Sequence, residues 1–186
     1  MTPNLPNDAP ELLSEFVKFY EEENSILCNV PPEEFARCFR IHFEIPFPMG
    51  MPDASIMVQN MEDIKFYIQP GLENKLNIRG FWISKGSSHI ILVDAERPDP
   101  SKIKTVIHEL SEQILTISHN LHPEILKRSD KSREQFVNAV AAHVKMPSEK
   151  FRKQIECFGL DVEQLTQANN DTLAGVARHI RDLVMS

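Results

Sequence analysis

No stretch of this chain approaches the ~18 uninterrupted apolar residues that a membrane-spanning helix requires, so a helical integral membrane protein is excluded. Cysteine is scarce: Cys28, Cys38 and Cys157 are an odd three, without C-x-x-C spacing. That excludes a disulfide scaffold and points to a reducing cytoplasm. The opening MTPNLPNDAPE has neither the basic start nor the apolar core of a secretory signal, which supports the same expectation of a cytoplasmic location. Positive charge is also short, with 20 Lys+Arg against 27 Asp+Glu and a net charge of −7. Proteins whose main task is to grip nucleic acid or an anionic membrane carry the opposite balance. Internal repeats and low-complexity runs are missing too. What is present, 41% hydrophobic and 25% charged residues, is the composition of an ordinary soluble globule. The length suits a single domain of ~100–200 residues.

Residues 1–10 hold three prolines and no apolar periodicity, and read as a flexible lead-in to one domain covering 11–186. From Glu11 to about Cys28, Leu12, Leu13, Phe16, Val17, Tyr20 and Leu27 recur at helical spacing. A short helix follows Pro31-Pro32, with Phe35 and Phe39 on one side. The middle of the chain switches period. Ile41–Ile45 and Ile64–Ile68 alternate, and Ile78–Ile83 is aromatic and β-branched. After the turn residues 84–88 comes the apolar run His89–Asp94. These runs predict a small antiparallel sheet, interrupted by the PFPMGMP loop at 46–52. Beyond Pro100 the pattern is helical. Asp99-Pro100 opens a helix to about Ser118, and Ser132 with Gln135 opens one to about Lys145. Further starts lie at Ser148, Asp161 and Asp171. The expected fold class is α+β, a small sheet packed on helices with a helical C-terminal half.

The chemistry concentrates in the segment KTVIHELSEQ. His108 and Glu112 are four residues apart and share a helix face, with Glu109 about 100° around. In an H-E-x-x-H helix the two histidines bind zinc and the glutamate after the first acts as general base. Here glutamate stands in the second ligand position. A carboxylate ligates Zn²⁺ at ~2.0–2.2 Å, so H-E-x-x-E is chemically competent, while a solvated acidic helix face is the plainer alternative.

A second window reads Glu134-Gln-Phe-Val-Asn138-Ala-Val-Ala141-Ala142-His-Val-Lys-Met146-Pro147. Together with His108-Glu109 it resembles the ImmA/IrrE-type metallopeptidase family, whose members follow H-E-x-x-H with E-x-x-A-N-x-F-A-A-x-x-x-M-P. Glu134, Asn138, Ala141, Ala142, Met146 and Pro147 fall in register, and Val137 and Val140 replace the usual alanine and phenylalanine. The strand HIILVD, the loop AERPDP and the tail FGLDVEQLTQANNDTLAGVARHIRDL match in kind, so the likeness covers about 11–184 and is closest beyond 88. The resemblance implies a zincin-like fold, His108 as first metal ligand, Glu112 in the second ligand position, Glu134 in the third and Glu109 as catalytic base. It further implies a metal-dependent endopeptidase acting on a repressor-type regulatory protein. The resemblance implies Zn²⁺, but one histidine with two carboxylates is a harder donor set, better suited to Mn²⁺, Fe²⁺ or Mg²⁺ than a two-histidine zinc site, so Zn²⁺ or another divalent ion such as Mn²⁺ is expected. The departure at Glu112 leaves a second reading open, in which the metal is absent and the scaffold is an inactive pseudo-peptidase that binds a protein partner.

Other features carry less. His119, His122 and His143 are reserve ligand candidates, whereas His42, His89 and His179 read as ordinary strand and helix residues. Trp82, Phe81, Phe66 and Tyr67 mark either core or a sheet edge that accepts an extended peptide. Met49 and Met51 pack their own loop or lip a cleft. The last two helices outline a helix-turn-helix. From Ser148 onward, however, five basic residues (Lys150, Arg152, Lys153, Arg178, Arg181) face six acidic ones, which argues against DNA binding.

Overall fold

The structure, a computed structural model, describes residues 9–23, 26–125 and 129–184. Most of the expected lead-in, residues 1–8, lies outside the described residues. Pro10 is buried and starts helix α1 (Glu11–Glu23), where its carbonyl accepts from the Ser14 backbone N–H and hydroxyl. Leu13, Phe16, Val17 and Tyr20 bury one stripe of α1, and a 3₁₀ turn at Leu27–Asn29 then reverses the chain. Helix α2 (Pro32–His42) has proline in its first turn, Glu33 and Glu34 at the positive end of its dipole and Arg40 and His42 at the negative end. Phe35 and Phe39 stack their rings 6.5 Å apart, and Phe35 meets Phe136 edge-on at 5.9 Å.

The expected strand at Ile41–Ile45 is absent. Helix α2 runs through His42, Ile41 points to solvent, and Glu44 turns the chain with a positive φ of 49°. The Phe35–Phe39 stripe outweighs the local alternation, because only the helix brings both rings onto α1. The loop after α2 is held by Arg40, whose guanidinium donates to the carbonyls of Ile45 and Pro46 and across to Val144. Met49 is buried beneath this loop. Helix α3 (Met51–Gln59) follows, opened by the Asp53 carboxylate accepting the Gly50 N–H at 2.7 Å.

The sheet has three strands in the order β1–β3–β2: β1 (Ile64–Gln69), β2 (Gly80–Lys85) and β3 (Ser88–Asp94). A five-residue helix, α4 (Leu72–Leu76), links β1 to β2. The hairpin expected around residues 84–88 forms, with β2 antiparallel to β3 and Gly86 in the left-handed turn position. The sheet is nevertheless mixed rather than wholly antiparallel, because β1 pairs parallel to β3, Ile64 opposite His89. HIILVD is the most apolar strand and takes the centre, burying Ile91 and Val93. That position places it between β1 and the strand that precedes it in sequence. β2 is left as a sheet edge.

Helix α5 (Asp99–Leu121) crosses the sheet and is the axis of the core. Ile103, Val106, Ile107, Leu110, Ile114 and Ile117 line its buried side. It begins at Asp99 with Pro98 before it, one residue earlier than the Asp99 cap suggests. Helix α6 (Asp130–Lys145) is likewise capped earlier than Ser132: the Ser129 hydroxyl accepts the Ser132 N–H. Helices α7 (Ser148–Phe158), α8 (Val162–Asn169) and α9 (Leu173–Val184) enclose a smaller core of Met146, Phe151, Leu165 and Val176. Asp161 caps α8 as its sequence suggests, accepting the Gln164 N–H at 3.0 Å. Among the described residues no helix is long and apolar enough to cross a membrane.

Candidate metal centre

The apolar stripe of α5 turns its opposite face, Lys104, Thr105, His108, Glu109 and Glu112, away from the core. Helix α6 lies alongside it, pinned through Phe136, Val137 and Val140, and this packing brings Glu134 over His108. The His108 imidazole, the Glu112 carboxylate and the Glu134 carboxylate each place one atom within 4.8 Å of the others, the only such group among the described residues. His108 Nε2 and Glu134 Oε2 are 3.5 Å apart. Two ligands at ~2.0–2.1 Å from one tetrahedral ion stand roughly 3.4 Å apart, so this pair matches a shared ion. The donor chemistry of all three residues and the spacing of this pair suit a divalent metal, with the Glu112 carboxylate within 4.8 Å of both.

Both carboxylates of the trio are held from behind. Asn138, one turn after Glu134, donates to its carboxylate at 2.6 Å and to its carbonyl at 2.9 Å. Arg133 grips Glu112 in two places and Thr116 in a third: Nε donates to the Glu112 carboxylate at 2.5 Å, and Nη2 donates to the Glu112 carbonyl at 2.8 Å and to the Thr116 hydroxyl at 2.6 Å. Arg133 stands beside Glu134 in the chain and offsets the charge that glutamate at 112 adds. The sequence reading missed it. The available signal was a cation adjacent to a candidate ligand on the facing helix.

Burial depresses the His108 pKa, against the pull of Glu134 and Glu112, and so favours the neutral ring that a metal requires. Glu109 is pushed the other way, up to about 7. Its burial is the main cause, the Glu112 and Glu134 charges add to it, and the backbone N–H of Trp82 on β2 opposes it by donating to the carboxylate. A carboxylate near 7 is matched to accepting a proton at neutral pH. Glu109 also lies on the wall of a cleft of 380 Å³ that runs between the β2 edge and α5 and is lined by His108, Glu134, Gly80, Lys104 and Arg97 among others.

The reserve histidines are engaged elsewhere. His122 Nε2 lies 2.8 Å from the buried Glu21 carboxylate, which also takes the Ser118 hydroxyl. His119 is buried in the core, and His143 faces Ser148 and the His179 ring. His89 packs under Trp82 and meets the Ser84 hydroxyl. Of the cysteines, Cys28 is buried, Cys38 half-buried and Cys157 exposed. Trp82 and Phe66 are half-buried against the core, and Tyr67 is exposed.

Residues 61–176 match the family model described as Peptidase_M78, IrrE N-terminal-like domain. Among solved structures, a Mycobacterium tuberculosis transcriptional regulator superimposes with a TM-score of 0.60 at 12% identity, a likeness of fold. The match covers 90% of this chain but 50% of that one, so this chain spans half the length of that regulator. No curated protein matches the sequence.

Proposed function

Because this chain belongs to the IrrE N-terminal-like peptidase family, we propose that it is a metal-dependent endopeptidase of regulatory proteins, with His108, Glu112 and Glu134 as ligands and Glu109 as general base. The observation that carries the proposal is the convergence of one imidazole and two carboxylates from two helices, beside the Glu109 carboxyl on the cleft wall. His108, Glu112 and Glu134 would hold a Zn²⁺ or Mn²⁺ ion, which would supply Lewis acidity toward a peptide carbonyl and an attacking water. The protein does the rest. Glu109 accepts the attacking water's proton and returns it to the leaving amine, which its position on the cleft wall permits. Edge strand β2, whose Trp82 N–H already holds Glu109, offers the rest of its edge to an extended substrate as a partner strand, orienting the carbonyl across the cleft. Arg133 and Asn138 fix the two glutamate ligands. The fold neighbour is described as a transcriptional regulator, which supports a role in regulation for this scaffold.

A second reading rests on Arg133. Its guanidinium already neutralises Glu112, so the acidic cluster does not require a cation for its stability, as a metal-free, protein-binding pseudo-peptidase would need. Metal analysis separates the two. The peptidase reading expects about one tightly held divalent ion per chain, lost in His108→Ala and Glu134→Ala. Glu109→Gln is expected to keep the ion and lose cleavage. Purified folded protein that takes up no divalent ion at all would overturn the peptidase reading.

A further inference from the structure

The cleft has two poles. One holds His108, Glu109 and Glu134. The other holds Arg79, Arg97 and Lys104, a basic cluster in a protein of net charge −7. Its charge is not balanced locally. Glu73 is shared between both arginines, at 3.5 Å from Arg79 Nε and 3.0 Å from Arg97 Nη1. Asp94 is buried behind them, with its oxygens occupied by the backbone N–H groups of Glu73 and Glu96. The Arg97 Nε is buried with no acceptor, and Lys104 has no ion-pair partner among the described residues. Asp171, the carboxylate nearest in effect to Lys104, is paired 3.0 Å from Lys145. A cleft of 380 Å³ is within the ~300–1,000 Å³ range of ligand sites and too polar here to be a packing defect.

We propose that Arg97, Lys104 and Arg79 form a carboxylate-binding subsite that selects substrates with an anionic group close to the scissile bond. The inference rests on the peptidase reading of the neighbouring centre. Lys104 precedes His108 by one helical turn, about 6 Å along the axis. An extended peptide advances ~3.3 Å per residue, so the carboxylate belongs one or two residues from the attacked carbonyl. A guanidinium recognises planar carboxylates, and the half-buried surroundings strengthen the contact. The shared chemistry has two sources: an Asp or Glu side chain within a protein, or a free C-terminal carboxylate. The second would make the enzyme trim chain ends.

Trp82, the single tryptophan, adjoins Glu109 and reports occupancy by its fluorescence. The probes are N-acetylated, C-amidated alanine pentapeptides carrying one Glu at each position in turn, their Gln counterparts, and all-alanine peptides with a free C-terminal acid. They are titrated into zinc-loaded Glu109→Gln protein, which binds without cutting. One Glu position is expected to bind at least ~10-fold more tightly than Gln, with the preference lost on adding Lys104→Gln or Arg97→Gln. If only the free-acid peptide shows the gain, the subsite stands and reads chain ends. If Glu, Gln and free-acid peptides bind alike, or none binds, the subsite is refuted. Zinc content is measured on the same samples. Retained zinc without discrimination removes the subsite and leaves the peptidase reading, while discrimination without zinc does the reverse.

Discussion

Glu109 shows how burial and neighbouring charge prepare one carboxyl for work and weaken the fold in doing so. Its pKa rises from 4.5 to about 7 in the folded chain, so the folded state holds a proton that the unfolded state releases. In the metal-free protein this contribution to stability is intact below the unfolded value and is lost as pH climbs through the window to about 7. The expected loss is of the order of 2–3 kcal/mol, read as a fall in urea midpoint between about pH 4.5 and 7.5, and Glu109→Gln should remove it. Arg133 acts in the opposite sense. Replacing it with methionine strands the Glu112 carboxylate, with an expected loss of about 1–3 kcal/mol of stability and roughly 10-fold weaker metal binding by competition titration. Arg133→Lys, which keeps the charge but not the fork, should fall between. If Arg133→Met binds metal as tightly as the parent, Glu112 is not held for ligation.

At the level of elements, the cleft depends on how closely β2 lies on α5. Gly80 opens β2, and a Cβ there would stand 2.4 Å from the Thr105 methyl and 2.6 Å from the Leu92 carbonyl oxygen. Gly80→Ala must therefore push the strand off the helix, with an expected cost of about 1–3 kcal/mol in chemical denaturation. Adding Thr105→Ser should recover part of it, since the methyl goes but the Leu92 carbonyl stays. The sequence showed much at this scale. The hairpin and the Asp161 cap stand where turn chemistry puts them, and α5 and α6 follow the expected period though both start earlier than their expected caps, because those signals are local. What it concealed was non-local. Ile41–Ile45 alternates like a strand, yet Phe35 and Phe39 need Phe16 and Phe136 as partners, and only a helix delivers both. The parallel pairing of β1 with β3 was hidden for the same reason: strand order depends on which strand is most buried, not on which follows which. The convergence of His108, Glu112 and Glu134 was legible because two motif windows carried it. Arg133 and the basic pole were not, since they come from a helix start and from loops that meet α5 only in three dimensions.

For the molecule as a whole, the question is what ties the closing helices to the body that carries the centre. The small core of Met146, Phe151, Leu165 and Val176 is separate from the main one. Lys145, at the end of α6, bridges the two parts. Its ammonium donates to the Pro100 carbonyl at the start of α5 at 3.1 Å and pairs with Asp171, between α8 and α9, at 3.0 Å. Lys145 is 3% exposed and Asp171 11%. Burial lowers the lysine pKa and Asp171 resists that, so the pair is a buried charge held by one partner. Asp171→Asn leaves the ammonium uncompensated, and the expected loss is about 3–5 kcal/mol. Lys145→Met combined with Asp171→Asn removes both charges and should recover most of that stability. Hydrogen exchange distinguishes a local strap from a general weakening. Asp171→Asn should speed exchange in α8 and α9 while the amides of α5 around His108 keep their protection. Equal acceleration in α5 would mean that the two cores unfold as one, and that the candidate metal centre depends directly on the closing helices for its stability.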